Sequence, residues 1–367
     1  AAEFDRVEYY MGQVAEIGRE RSLEEPTLFG LTHLANTLVY LTRYDEALPV
    51  ALQGLDAAEE AGNLKYQAEL LTFSIPTIQM RNGEFEEAMG SIERGMEIAM
   101  RIGDRVSEAF AAIFQGKVAT AQGFLGEAMA LFRRADAALQ ATGIPYLLAL
   151  GKCVSGTCLL AIGGPCTEQA IGLHRETLEI MDMPTGTTLG AWLWSEMGHC
   201  ALAIGDRDLA KDLFDRALTE QTAPMHLMRP SALVGAIEIA LAEGRFDDAR
   251  GLHAELAEYV TTRQMLDQYA SIPFMAGRIA AESGNHDEAL DRFVETLEMF
   301  TQAGMRRMAL DVHRAMAASY RAAGREEDAL GAEAAAAALV GEIGASIADP
   351  DLQGAFLRDG GLAKQLA

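Results

Sequence analysis

The chain has little cysteine, and the four cysteines that it has do not form a framework. Cys153, Cys158, Cys166 and Cys200 all lie in the middle of the sequence. No two of them are separated by the two residues typical of a zinc ligand pair, and His174 and His199 nearby do not supply a ligand spacing either. The pattern therefore predicts buried, reduced thiols, no metal site and a cytoplasmic protein.

Basic residues are also scarce. The chain has 30 lysines and arginines against 54 aspartates and glutamates, a formal net charge of -24. Such a charge repels nucleic-acid phosphates and anionic membrane surfaces. The sequence has neither a secretory signal nor an apolar run of 18 residues. We expect no direct nucleic-acid partner and no membrane partner.

Catalytic motifs are missing as well. The sequence contains no glycine-rich phosphate-binding loop ending in Gly-Lys-Ser/Thr, no Gly-x-Gly-x-x-Gly, no Gly-x-Ser-x-Gly and no His-Glu-x-x-His. The chain is thus predicted not to be an enzyme, with no catalytic residues and no cofactor.

Aromatics make up only 7% of the residues, and no segment alternates like a strand; what the chain has instead is a repeat. Eight alanines recur at steps of 41, 40, 42, 40, 39, 40 and 40 residues: Ala47, Ala88, Ala128, Ala170, Ala210, Ala249, Ala289 and Ala329. A fixed period of this length indicates a stack of supersecondary units rather than a globule around one core.

Glycines at two fixed offsets from these alanines divide each unit into two helices. Glycine is able to adopt the left-handed conformation that ends a helix. The first set, five residues before the alanine, is Gly83, Gly123, Gly205, Gly244, Gly284 and Gly324. The second set, fifteen residues after it, is Gly62, Gly103, Gly143, Gly304 and Gly344. Each unit is therefore predicted to be a hairpin of helix A and helix B, and Pro76 and Pro273 should kink a helix A or shift its start.

Small residues lie twelve positions before the alanine, as in Gly116 and Gly198, and an aromatic lies four positions after it in Phe132, Phe214 and Phe293. This order of small residue, glycine, alanine and aromatic resembles the tetratricopeptide repeat (TPR), lengthened from 34 to about 40 residues. HEAT and armadillo arrays share the period, but the internal spacing favours TPR. The even-numbered units depart from the pattern, with Pro76 and Ile237 at the small position and His174, His253 and Glu333 at the aromatic one.

The resemblance implies an all-α, right-handed superhelical solenoid of about eight hairpins plus terminal helices. We assign residues 1–22 to an N-terminal helix that is either a cap or the second helix of a cut repeat, 23–345 to eight repeats and 346–367 to a C-terminal tail. The array resembles the C-terminal TPR or sensor region of bacterial multidomain ATPases, nucleotide cyclases or maltose-activator-like regulators. No DNA-binding helix-turn-helix follows it here, which favours the ATPase or cyclase context.

In TPR arrays helices A line a concave groove, which implies a non-catalytic module that binds a protein or peptide in bacterial signalling or transcription regulation. A small anionic ligand, as for a maltose-activator-like sensor, an enzyme with an unrecognised site and a homo-oligomer stay open as alternatives. We expect exposed aromatic side chains that anchor the bound ligand and cationic side chains that bind its carboxylate or phosphate groups. The groove residues carried over from the family are Phe29, Thr32, Asn36, Phe73, Thr77, Phe110, Ile113, Lys117, Lys152, Ser155, Trp192, Ser195, His199, Glu238, Ser271, Phe274, Arg278, Asp311 and Arg314.

Overall fold

The computed structural model describes residues 2–163, 166–181, 190–219 and 226–359, and in these ranges the chain forms helices and no strand. The helices are α1 Ala2–Glu20, α2 Glu24–Tyr40, α3 Tyr44–Glu60, α4 Leu64–Glu69, α5 Ile75–Arg81, α6 Phe85–Ile102, α7 Arg105–Gln122, α8 Leu125–Gln140, α9 Pro145–Ile162, α10 Cys166–Met181, α11 Gly190–Ala203, α12 Arg207–Thr219, α13 Arg229–Ala242, α14 Phe246–Thr262, α15 Ser271–Glu282, α16 His286–Gln302, α17 Arg306–Ala322, α18 Glu326–Ala345 and α19 Pro350–Asp359. The prediction of an all-α helical-repeat solenoid is confirmed.

Eight hairpins of helix A and helix B follow one another along the chain. Unit 1 is α2 and α3, and unit 2 is the interrupted helix α4–α5 with α6. Units 3 to 8 take the remaining helices in pairs, from α7–α8 to α17–α18. Helix α1 packs on α2 in the position of a preceding helix B.

The turns between helices use the left-handed conformation, as their glycines predict. Gly83, for example, has φ +78°, and its neighbour Glu84 donates its backbone N–H to the carbonyl of Gln79 at 2.8 Å. Where glycine is missing the conformation persists, because Thr42 has φ +57° and closes the same hydrogen bonds. Gly344 differs from the expectation: helix α18 continues through it to Ala345.

The two prolines predicted to disturb a helix A act in different ways. Before Pro76 the helix widens into a π turn at Leu70–Ser74, which places the proline at the start of α5. Before Pro273 a 3₁₀ turn at Leu266–Gln268 delays the helix, so that the proline lies in the first turn of α15. Pro273 therefore removes no interior helical hydrogen bond, whereas Pro76 is accommodated by the wider π turn inside a helix that continues from α4.

Helices A and B approach closely where an aromatic ring meets a glycine. A Cβ on Gly116 would lie 2.8 Å from the ring of Phe132, and a Cβ on Gly198 would lie 2.6 Å from that of Phe214. The ring of Phe214 also reaches the next unit, where a Cβ on Gly235 would lie 2.0 Å from it. Gly235 thus makes a close approach between unit 6 and helix B of unit 5, while Ile237 takes the small position of unit 6.

The array winds far enough for units 1 to 3 to touch units 6 to 8. We name this contact the seam: the turns that end helix A in units 1 to 3 meet the turns after units 6 and 7 and the end of α18. Its polar contacts join residues 184 to 223 positions apart. They are Arg263 Nε to Thr42 Oγ1 at 3.0 Å, the Arg81–Asp267 ion pair, Arg306 Nε to the Gln122 carbonyl at 2.9 Å, and Ser346 Oγ to the Gly123 carbonyl at 3.0 Å.

Two further helices complete the packing at the seam side. Helix α9 is the helix in the described ranges that is long and apolar enough to cross a membrane, and 61% of it is buried inside the fold. Helix α19 packs on α18 and α9. Its Phe356 is fully buried, so residues 350–359 of the predicted tail are part of the folded array. The Gly164-Pro165 part of the turn in unit 4 lies outside the described residues.

Candidate binding site inside the solenoid

A cavity of about 410 Å³ lies between helices A of units 5 to 8, and we call it the interior cavity. Its volume is in the range typical of small-ligand sites. Apolar side chains from α11, α13, α15 and α16 form much of its wall, with Phe274 and Phe293 as the aromatic part. The predicted groove residues that line it are His199, Glu238, Phe274, Arg278, Asp311 and Arg314.

The most enclosed charges of the interior cavity are an ion pair between α15 and α13. Arg278 Nη2 lies 3.1 Å from Glu238 Oε2, and the side chains are only 15% and 13% exposed. Burial raises the pKa of the Glu238 carboxyl, and Arg278 opposes that rise. A buried pair of this kind costs desolvation energy, so each partner depends strongly on the other.

A second charged group lies on α17. Asp311 accepts a hydrogen bond from Arg307 at 2.6 Å, and its other oxygen lies 3.6 Å from Arg314 Nη1. Burial lowers the pKa of the Arg314 guanidinium. The cavity therefore presents cations and carboxylates together.

His199 joins α11 to α13. Its Nε2 lies 3.0 Å from both the carbonyl and the hydroxyl oxygen of Ser231, and Ser195 donates to that hydroxyl at 2.9 Å. Burial lowers the pKa of the imidazole, against the opposing effect of Glu196. The ring thus lies at the cavity wall in a form that is mainly neutral at physiological pH.

The predicted row of exposed aromatics is wrong for Phe73 in unit 2 and for Trp192 in unit 5. Phe73 and Trp192 are 5% and 3% exposed. Phe73 packs against Phe110 at 5.6 Å between ring centroids, and Phe110 packs against Trp192 at 6.5 Å. These rings meet across helices A of units 2, 3 and 5 because the array is tightly wound, so Phe73 and Trp192 pack against other side chains of the array and are not exposed anchors.

The predicted cations of the groove all have carboxylate neighbours. Lys117 pairs with Glu196 and lies 5.1 Å from the centroid of the Trp192 ring, and Lys152 pairs with Glu176. Burial alone would raise the pKa of Glu196, but Lys117 outweighs it and the net shift is downward.

The remaining predicted groove residues lie away from the interior cavity. Thr32, Ile113 and Ser195 are fully buried. Asn36 donates to Glu69 Oε1 at 3.0 Å, and Ser155 donates to the Phe132 carbonyl at 3.4 Å. Phe29 is 39% exposed and contacts the ring of His33, while Thr77 lines another cavity, described below. Whether any of the predicted residues binds a ligand stays a prediction.

Several wall residues of the interior cavity were not identified from the sequence. Their signal was present, because each lies three or four residues from a predicted position and thus on the same helix face. They include Leu202, Ala203, Val234, Ala281, Glu282, Ala315 and Ala318.

The cysteines are buried within the packing of the middle units. All four thiols are free, and burial raises the pKa of Cys158 and of Cys200 to about 12. Within the described ranges, no three histidine, cysteine, aspartate or glutamate side chains come together as metal ligands.

No family model and no curated protein matches this sequence. Among solved structures, the chain is similar to a Rap protein complexed with competence and sporulation factor, at 13% identity and a TM-score of 0.63, over 94% of this chain and 98% of that chain. It also matches yeast Tom70 at 10% identity and a TM-score of 0.34, over 98% of this chain and 96% of that chain. The TPR domain of P58(IPK) matches at 11% identity and a TM-score of 0.27, over 99% of both chains. In fold, the chain is a TPR-like helical-repeat solenoid.

Proposed function

We propose that this chain is a non-catalytic binding module that takes a short peptide segment of a partner protein into the interior cavity. The observation that carries the proposal is a partly open cavity of about 410 Å³ whose wall combines aromatic rings with charges of both signs. The Rap protein, similar in fold, was solved with competence and sporulation factor, which is consistent with ligand binding by such an array.

The charges favour a peptide over a small anion. Arg278 is already neutralised by Glu238, and Arg314 lies near Asp311. Glu282 adds a third carboxylate to the wall, so an anion would meet about as much repulsion as attraction. A peptide supplies both donors and acceptors from its backbone, and an apolar side chain that fits against Phe274 and Phe293.

In the cell, we expect such a module to serve signalling or regulation in the cytoplasm, coupling peptide occupancy to the other parts of a multidomain protein. Each repeat contacts its neighbours, so a peptide held by units 5 to 8 would change the curvature of the array in small steps.

A phage-displayed heptapeptide library, selected on the wild-type chain, tests the proposal. Ala315 lines the interior cavity, so Ala315→Phe should fill part of it and weaken the selected peptides by about tenfold or more. The matched control is Ala121→Phe, the same change in a different cavity, which should leave peptide affinity unchanged. A library that yields no binder, or peptides that bind Ala315→Phe as tightly as wild type, would refute the proposal.

The charged pair gives a second measurement. Replacing both Arg278 and Glu238 by methionine keeps similar volume and leaves no unpaired buried charge, so the fold should tolerate the change. Peptide affinity should still fall by about tenfold, because the polar contacts of the ligand are lost.

A further inference from the structure

A second cavity, of about 370 Å³, lies at the seam, and we call it the seam cavity. Thr77, Arg81 and Phe114 line it from units 2 and 3. Asp267 and Met305 line it from the turns after units 6 and 7. Trp192 and Ser231 line it from units 5 and 6. The cavity therefore has wall residues on both sides of the seam.

Thr77 brings an unused hydroxyl to this cavity. Threonines elsewhere in the helices donate to the carbonyl four residues earlier, as Thr72 does to Ala68 and Thr120 to Gly116, both at 2.8 Å. Thr77 follows Pro76 and the π turn, and its hydroxyl, on a residue 2% exposed, has no partner in the part of the chain that the structure describes. A buried hydroxyl without a partner is costly and calls for an explanation.

Asp267 brings an unused acceptor. One carboxylate oxygen accepts from Arg81 and from Gln268, at 2.8 Å for Gln268. The other oxygen, Oδ1, is buried and accepts no hydrogen bond from the described residues. A ligand with an N–H or O–H group near Asp267 or Thr77 would satisfy a polar atom that the chain leaves unpaired.

The rest of the wall is apolar and electrically balanced. Its aromatic and methionine side chains give it a soft, adaptable surface. Lys117 pairs with Glu196, and Arg81 pairs with Asp267, so no net charge remains for an ionic ligand. A charged group would lose its hydration here without gaining a counter-ion. The apolar wall residues include Met80, Phe114, Met228, Phe300, Met305 and Met308.

We propose that the seam cavity binds a neutral, largely aromatic small molecule that carries one N–H or O–H donor. Because its wall includes residues from both sides of the seam, the bound molecule holds the seam closed. The two cavities share no wall residue, although Ser231, which lines the seam cavity, contacts His199, which lines the interior cavity. The proposal does not depend on peptide binding.

The probe is N-phenyl-1-naphthylamine, a neutral aromatic amine with one N–H whose fluorescence rises in apolar sites. Wild type should bind it saturably, and Ala121→Phe, which fills the seam cavity, should weaken binding by about tenfold or more. Ala315→Phe, which fills the interior cavity, is the matched control and should bind the probe like wild type. Circular dichroism confirms that each variant is folded.

Two further measurements keep the test decisive if Ala121→Phe fails to fold. Met308 is 41% exposed at this cavity, so Met308→Trp should fold and still hinder the probe. In competition, 1-benzylnaphthalene, which has CH₂ in place of the N–H, should bind about threefold or more weakly than the amine. The probe should also raise the melting temperature of wild type but not of Met308→Trp.

Absence of saturable binding, equal affinity in the seam-cavity variants and wild type, or a loss in Ala315→Phe alone would overturn the proposal. The outcomes separate it from the peptide proposal, because selected peptides respond to Ala315→Phe and the naphthylamine responds to Ala121→Phe.

Discussion

Gly235→Ala should destabilise the array, although alanine is the better helix former. The added Cβ would lie 2.0 Å from Phe214 Cζ and 2.4 Å from two further ring atoms. The ring has little room to move toward α11, because Gly198 is already in close approach to the same ring atoms, Cε1 and Cζ. Overpacking of this kind costs about 1–3 kcal/mol, and the helix-propensity gain of alanine returns about 1 kcal/mol. With a clash this short we expect a net loss of about 2 kcal/mol in the free energy of unfolding.

Gly331→Ala in α18 is the matched control. It is the same substitution inside a helix, and nothing lies within 4 Å of its Cβ position. It should stabilise the protein by about 0.5–1 kcal/mol. Urea titrations followed by circular dichroism at 222 nm compare both variants with wild type.

The unfolding free energies of the two variants must change in opposite directions relative to wild type. Equal changes in unfolding free energy would mean that the ring of Phe214 does not fill the space beside Gly235. The close approach between Phe214 and unit 6 would then be contradicted. A second check is the double variant Gly235→Ala with Phe214→Leu, which should be more stable than the sum of the single changes predicts, because the smaller side chain relieves the clash.

Three other outcomes follow from the buried groups. Arg278→Met should cost about 3 kcal/mol of unfolding free energy because Glu238 loses its partner, and adding Glu238→Met should restore most of it, as measured by urea titration. Burial lowers the pKa of His199 below its ordinary 6.5. The neutral imidazole therefore contributes to stability above pH 6.5, and this contribution is lost as the pH falls through the lowered pKa. Between about pH 7.5 and about pH 5.5, wild type should lose more unfolding free energy than His199→Gln. The buried thiols of Cys158 and Cys200, with pKa values of about 12, should react with iodoacetamide far more slowly in the native protein than in urea, and fast native labelling would contradict their burial.

The helices and turns of each unit could be predicted from the sequence because they depend on residues that are only a few positions apart. The glycines of the turns recur at fixed offsets, and Gly83 adopts the left-handed conformation that such a turn needs. The glycine at 198 receives the ring of Phe214 from the same unit, as the repeat pattern indicates. Helix propensity and turn chemistry act over a few residues, so one repeat is enough to reveal them.

The inside of the solenoid could be predicted only in part. The offsets that name Arg278 and Glu238 also name Phe73 and Trp192, yet the first pair lines a cavity and the second pair is buried among other rings. Whether a groove position lines a cavity or is buried depends on the rotation of each unit relative to the one before it. That rotation adds up over many small differences in packing, which the sequence of one repeat does not show. The pairing of Arg81 with Asp267, 186 residues apart, has no local signal for the same reason.

The seam limits where the array can gain or lose a unit. Repeat proteins commonly change length by gaining or losing whole units, since each unit contacts only its neighbours. Here an extra hairpin inserted between units 3 and 6 would rotate Asp267 away from Arg81 and carry Arg263 past Thr42. Duplication or deletion of a unit between units 3 and 6 would therefore break these contacts, so this array can gain a whole unit more readily at its two ends than in its middle.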